Sequence, residues 1–125
     1  MTAAALVLQS RTAEARLAAA ASPPRRTWDT HTPVWHWLQA LVGLGLDDGD
    51  RVRAAEAALL PHAGTVCGAW TGAVAMGPTD TVLARLAAYR GDDTAAAAHQ
   101  AAAVALAEQL GNRAWAEAAR RALLR

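Results

Sequence analysis

The chain has 125 residues, more than a quarter of them alanine, and its twelve basic residues, all arginine, balance eleven acidic ones. This length suits one domain, and abundant alanine with few β-branched residues predicts an all-α fold. With a formal charge of +1 and no basic patch, we expect no direct nucleic-acid partner.

Cysteine content and hydropathy bear on where the protein resides. Cys67 is the single cysteine, so no internal disulfide forms, and this predicts a cytoplasmic location. The N-terminal run lacks the basic region of a signal peptide. No stretch approaches the roughly 20 apolar residues of a membrane span, so we expect no membrane partner.

The predicted elements are helices separated by proline, glycine and Asx residues. The single domain divides into an N-terminal helix (1–21), a linker (22–31) and repeat hairpins (32–125). Helices in the hairpin region are expected at about 33–44, 50–60, 79–90, 94–110 and 113–124, so that the fold contains about six helices. The glycine-rich residues 62–78 are expected to be irregular, either extended or a short helix.

Local signals place the ends of these helices. Pro23 and Pro24 end the first helix because proline cannot continue the hydrogen-bond ladder. Thr32-Pro33 reads as an N-cap followed by proline at the first helical position. Gly91 is a predicted C′ glycine, and residues 92–94 and Asn112 are predicted N-caps for the last two helices.

Two turns recur in the sequence and indicate a helical repeat. LGLDDGDRVRAAEAAL (44–59) resembles AAYRGDDTAAAAHQAA (87–102), each with Gly-Asp followed by an alanine-rich helix. This pattern is typical of hairpins that each bury a face against the next. Two hairpins are fewer than the three usually needed, so we expect the N-terminal helix to cap the stack or the chain to form a homodimer.

A family resemblance accompanies this repeat. LLPHAG, the glycine-rich run to GP, the hairpin AAYRGDDTAAAAHQAAAVALAEQLG and the Trp-containing last helix look like the tetratricopeptide-like C-terminal region of large actinobacterial regulators. Those are multidomain ATP-binding proteins, often with a DNA-binding or cyclase domain elsewhere. The resemblance runs from about Val34 to the C-terminus and implies tetratricopeptide-like hairpins that bind partners or effectors. Two departures are the missing ATPase phosphate loop and Gln100, where the family pattern more often has a large apolar residue.

Aromatic and imidazole side chains concentrate in WDTHTPVWHW, residues 28–37. On a helical wheel Trp35 and Trp37 lie about 160° apart and do not stack, while His36 falls with Ala40 and Gly43 opposite the apolar arc. The tryptophans either fill the core of an alanine-rich bundle or line a cavity for an apolar ligand. The ligand-binding candidates are Trp28, Trp35, His36, Trp37, Trp70, Tyr89 and Trp115.

Acid–base and metal chemistry have weaker support. The catalytic candidates are Asp29, His31, His62 and Asp80, with Asp29 and His31 as an orienting carboxylate–imidazole pair. Local bonds from Asp29 to the backbone of a turn are the alternative. His31 and His36 lack the four-residue spacing of a helical metal pair, so no metal site is predicted.

The sequence therefore predicts a non-catalytic binding module, a helical repeat that engages a protein partner or senses an effector. The alternative is a stand-alone protein that binds a small hydrophobic ligand in a Trp-lined pocket, or a cofactor-independent enzyme that acts on such a metabolite there. Neither interpretation requires a cofactor.

Overall fold

The computed structural model of the protein describes residues 3–4, 12–21, 32–69 and 74–124. Ala3 and Ala4 are helical. The elements that follow are α1 (Thr12–Ala21), α2 (Thr32–Leu46), α3 (Gly49–Leu59), a 3₁₀ turn (Leu60–His62), β1 (Val66–Ala69), β2 (Val74–Pro78), α4 (Thr79–Tyr89), α5 (Asp93–Gln109) and α6 (Arg113–Arg121).

The predominantly helical fold is confirmed, but the chain is not all-α. Strands β1 and β2 pair antiparallel within the segment predicted to be irregular, with Val66 opposite Pro78 and a register shift between Cys67 and Gly68. Glycine is a poor helix former, and β-branched valine favours strands. The buried Cys67 side chain fixes the pair against the helical core, so one face of this short sheet is covered.

Three of the interhelical turns share one geometry. Each contains a residue with positive φ, and these are Asp47 (53°), Gly91 (83°) and Gly111 (69°). The N–H of the following residue bonds to a carbonyl five residues back, as in a Schellman motif; the pairs are Asp48–Gly43, Asp92–Ala87 and Asn112–Ala107.

The same Asx residues then begin the next helix. Their side chains accept the backbone N–H three residues later, which is the N-cap bond; the donors are Arg51, Ala95 and Trp115. The predicted caps at Asp92 and Asn112 and the predicted C′ glycine at Gly91 are therefore confirmed. The first of the three turns lies at Asp47–Asp48, so α2 extends two residues beyond its expected end.

Helix α2 is central because it is buried on two sides. Trp37 and Ala40 join the main core with residues of α3, β1 and α4. Val42 and Leu46 form a second cluster with Ala15 of α1, and Ala3 and Ala4. Ala40, which was expected opposite the apolar arc, is fully buried in the main core, so the buried surface of α2 extends beyond that arc.

Gly43 explains how α2 and α3 pack so closely. A Cβ added there would lie 3.1 Å from both Cγ2 and the backbone nitrogen of Val52. The small side chains of α2 thus allow the close helix contact that an alanine- and glycine-rich sequence predicts.

Gln100 fastens the last helix to α5. Its Nε2 donates to the carbonyl oxygens of Ala119, at 3.1 Å, and Arg120, at 2.9 Å. The last carbonyls of a helix lack a regular helical donor. Gln100 gives the Arg120 carbonyl a donor and adds a second one to the Ala119 carbonyl, which also accepts the Ala122 N–H. The residue that departs from the regulator pattern therefore has a structural role here.

Among the helices that the structure describes, none combines the length and the apolar character needed to cross a membrane.

Candidate binding groove

A groove of about 350 Å³ lies between α2, α4 and α6. Helices α2 and α4 are the first helices of the pairs α2–α3 and α4–α5, and α6 is the last helix of the chain. The lining residues of the groove are Trp37 and Leu41 of α2, Thr81, Val82 and Arg85 of α4, and Ala118, Arg121, Ala122 and Leu124 at the end of the chain.

Helical periodicity brings these side chains to the groove. Trp37 and Leu41 are four residues apart on α2, and Thr81 and Arg85 are four apart on α4, so each pair lies on one helix face. On the opposite wall Ala118 and Ala122 are also four apart, and their methyl groups leave the space between the helices open. The groove thus follows from large side chains on one helix facing small ones on another.

The floor of the groove is apolar and continuous with the core. Trp37 is 8% exposed and Val82 1% exposed, and both belong to the main core cluster. Leu41 packs partly buried against the same cluster. The rim is more accessible, since Leu124 is 74% exposed. A ligand would therefore contact a buried indole surface at the bottom and exposed side chains at the top.

Two arginines, Arg85 and Arg121, give the groove a positive rim. Within the described parts of the chain, neither forms an ion pair. Four other arginines do pair with carboxylates: Arg51 with Asp48, Arg53 with Asp50, Arg90 with Glu56 and Asp92, and Arg120 with Glu108. The two groove guanidinium groups therefore keep their donors available to an anion.

Thr81 adds a polar atom to the groove wall. Its Oγ1 is buried and has no hydrogen-bond partner among the residues described. A hydroxyl without a partner is uncommon in a protein interior. Rotation about χ1 would let it meet a ligand oxygen.

Two other concave surfaces lack this apolar floor, and a third, of about 450 Å³ on α5, is lined largely by alanine and valine and contains no aromatic ring. One of about 1000 Å³ surrounds the α5–α6 turn, and its lining is mostly polar and charged: Glu108, Gly111, Asn112, Arg113, Ala114, Ala116, Glu117 and Arg120. A second, of about 540 Å³, contains Leu46 together with glycine and charged side chains of the α2–α3 turn. Ligand sites are usually lined by apolar and aromatic groups with few polar ones, which favours the groove at Trp37.

A carboxylate–imidazole pair lies elsewhere on α4. Asp80 is 3% exposed, and its two oxygens accept the Gly64 N–H at 2.7 Å and contact His99 Nδ1 at 2.7 Å. At 100° per residue, Asp80 lies about 120° from the centre of the face that Thr81 and Arg85 present to the groove. The pair therefore joins α4 to α5 and to the turn before β1, away from the groove.

Several predicted site residues lie outside the described residues: Trp28, Asp29, His31 and Trp70. Their proposed roles stay predictions.

The remaining aromatic candidates divide between the groove and other places. Trp37 forms the groove floor, whereas Trp35 is half-buried earlier in α2. The half-buried Trp115 ring packs beside Gly77 of β2, about 3.5 Å from where a Cβ would stand. The Tyr89 hydroxyl donates to Asp47 Oδ1 at 2.5 Å, which raises the pKa of Tyr89 and ties the end of α4 to the α2–α3 turn.

The two described histidine candidates lie near each other. Burial, and secondarily the nearby charge of His62, lowers the pKa of His36 below its usual value. The backbone carbonyl of His62 accepts both the N–H and the hydroxyl of Thr65. Neither histidine lines the groove.

Sequence reasoning missed the groove residues other than Trp37. A usable signal was present, because Thr81 and Arg85 are four apart on a helix whose other face is apolar. That Arg85 and Arg121, 36 positions apart, line the same groove could not be predicted from any local sequence signal.

Comparison of the chain with protein-family models, curated proteins and solved structures finds no match. In the described parts of the chain, no group of three or more His, Cys, Asp or Glu side chains could hold a metal ion.

Proposed function

We propose that this protein is a non-catalytic, cytoplasmic binding module whose ligand occupies the groove between α2, α4 and α6. The observation that carries the proposal is the floor of this groove, where the indole of Trp37 faces the alanines of α6. A volume of about 350 Å³ lies within the range of small-molecule sites, roughly 300–1,000 Å³.

The stacking of the helix pairs supports this assignment. We propose that the pairs α2–α3 and α4–α5, followed by α6, form a tetratricopeptide-like repeat with α1 as the capping helix. The three turns with one hydrogen-bonding pattern support this interpretation. Stacked repeats produce extended concave surfaces that bind partners. The resemblance to the C-terminal region of actinobacterial regulators is part of the same proposal and favours effector sensing.

The groove chemistry supports binding more than catalysis. Its ionisable side chains are two arginines, and a guanidinium group offers hydrogen-bond donors but no acceptor, so neither can act as a general base. The imidazole of His99 and the carboxylate of Asp80 lie on the other side of α4. A ligand seated on Trp37 would therefore meet anchoring groups and not a proton-transfer pair.

Titration with the neutral fluorescent probe N-phenyl-1-naphthylamine tests the groove. We expect saturable, one-site binding to the wild type, with fluorescence enhancement as the probe leaves water. Ala118→Phe should abolish this binding, because Ala118 is exposed and a phenyl ring there fills the groove.

The matched control is Ala114→Phe, an exposed position one turn earlier on α6 that lines the polar concavity at the α5–α6 turn. It should bind the probe like the wild type, and circular dichroism should show both variants folded. Absence of saturable binding, or equal binding by both variants, would refute the groove as the ligand site.

A further inference from the structure

We infer that the ligand of the groove is a small monocarboxylic acid with an apolar body, its carboxylate held by Arg85 and Arg121. This inference rests on the proposed function and adds the chemical class of the ligand.

The positive charge at the rim of the groove favours an anionic ligand. Arg85 and Arg121 come from two different walls of the groove, α4 and α6, and neither has a carboxylate partner in the described chain. Four other arginines of this nearly neutral protein are paired. Guanidinium groups bind carboxylates with two parallel N–H···O bonds, so the rim is suited to an anionic headgroup.

The polar groups and the apolar floor lie at different depths in the groove, and this favours an amphipathic ligand. Trp37 and Val82 are buried at the bottom, whereas the arginines stand at the exposed edge. A ligand that satisfies both must place its apolar part inward and its charge outward. Thr81 lines the same wall one turn before Arg85. Its buried Oγ1 has no partner in the described chain, and rotation about χ1 would have to turn this hydroxyl toward the rim for it to meet a carboxylate oxygen.

The volume of the groove sets the size of the ligand that it can hold. At roughly 30 Å³ for each water-sized group, 350 Å³ corresponds to about twelve such groups. Decanoate, with about twelve non-hydrogen atoms, matches this volume, whereas the probe N-phenyl-1-naphthylamine, with about seventeen, would fill the groove and extend past its exposed rim. The groove is lined by nine residues, whereas the interface with a folded partner takes roughly 20–30 residues on each side, and this favours a small molecule.

Displacement of N-phenyl-1-naphthylamine by decanoate and by 1-decanol tests the inference, because the two ligands differ in the headgroup. We expect decanoate to bind at least tenfold more tightly than decanol. Arg85→Gln and Arg121→Gln should each weaken decanoate binding about 5- to 20-fold and leave decanol within twofold. Thr81→Val should weaken decanoate binding about 2- to 5-fold.

The matched control is Arg113→Gln, which removes an arginine of α6 that lies outside the groove and forms no ion pair with the described residues. It should leave decanoate binding within twofold, whereas an equal loss would show that net charge alone matters and would overturn the inference. Raising the salt concentration should weaken decanoate binding but not decanol binding.

The outcomes separate this inference from the function on which it rests. If decanol binds as tightly as decanoate while Ala118→Phe still blocks the probe, the carboxylate assignment is wrong and the groove remains a binding site. If the probe does not bind at all, the groove function itself is wrong. If N-acetyl-Leu-Leu with a free carboxylate binds more tightly than decanoate, the ligand is a peptide terminus and the small-molecule assignment is overturned.

Discussion

Cys67 shows how the environment of one residue makes stability depend on pH. Its side chain is 1% exposed in the main core, and burial raises its pKa from 9.0 to about 11. Between these values the unfolded chain loses the thiol proton while the folded chain keeps it. Folding therefore becomes less favourable as pH rises from 9 to 11, by up to about 1.4 kcal/mol per pH unit.

Urea unfolding at pH 8, 9, 10 and 11 measures this dependence, and Cys67→Ala is the comparison. The variant should lack the Cys67 component, whereas the ionisation of Tyr89 contributes to both proteins. In the folded wild type the thiol should react with a disulfide reagent only as fast as the protein opens. Parallel pH profiles for the two proteins would contradict the assignment.

The Asp80 carboxylate couples three segments of chain through two hydrogen bonds. Asp80→Ala would leave the Gly64 N–H and His99 without this partner, and we expect a loss of about 2–4 kcal/mol in the free energy of unfolding. A double-mutant cycle with His99→Ala should give a coupling of about 1–3 kcal/mol.

Two controls accompany this cycle. Asp93→Ala, at an exposed carboxylate in the first turn of α5, should change stability by about 0.5 kcal/mol or less. Probe binding to folded His99→Ala should match the wild type, since the pair lies away from the groove. Additive single losses, or weakened probe binding, would show that the pair has another role.

Among the elements, the bend of the chain from β2 into α4 depends on Gly77, the second-last residue of β2. Its φ is +112°, which side chains rarely adopt, and the Trp115 ring packs 3.5 Å from the site of a Cβ. The space suffices for a methyl group, so the cost of Gly77→Ala comes from the backbone. We expect a loss of more than about 1 kcal/mol, with a changed Trp115 environment seen by fluorescence.

Gly64→Ala is the matched control for this position. Its φ of +81° is closer to the left-handed helical region, and no atom lies within 4 Å of an added Cβ. We expect it to cost about 1 kcal/mol and less than Gly77→Ala in the same thermal melt. The reverse order would contradict backbone strain as the cause.

The helices were predictable from the sequence because their end signals are local. Asp92 and Asn112 precede their helices directly, and each caps the helix that the sequence predicts. The strand pair was not predictable to the same extent, because Cys67 pairs with Gly77, ten positions later, and no local signal specifies that register. The groove is formed by residues that lie still farther apart in the sequence. Trp37 was therefore recognised as a candidate, but Arg85 and Arg121, which line the same groove, were not.

In the molecule as a whole, α1 covers one face of α2, together with Ala3 and Ala4. Ala15 is fully buried and packs in a cluster with Val42 and Leu46. If α1 caps the stack, Ala15→Asp should destabilise the protein by about 2 kcal/mol or more, because it buries an unpaired charge. Hydrogen exchange should then show lost protection across residues 12–21.

Ala13→Asp is the control, since Ala13 is exposed on the same turn of α1 and the added charge meets the same helix terminus. We expect its stability to stay within about 0.5 kcal/mol of the wild type. Opening α1 in Ala15→Asp would expose Val42 and Leu46 as an apolar patch, which favours self-association, so its apparent mass in light scattering should rise with concentration. The capping hypothesis would be wrong if the wild type were a dimer whose α1 amides exchange freely. In that case the contact of α1 with α2 would be too weak to protect α1, and a second copy of the chain would be the cover of α2.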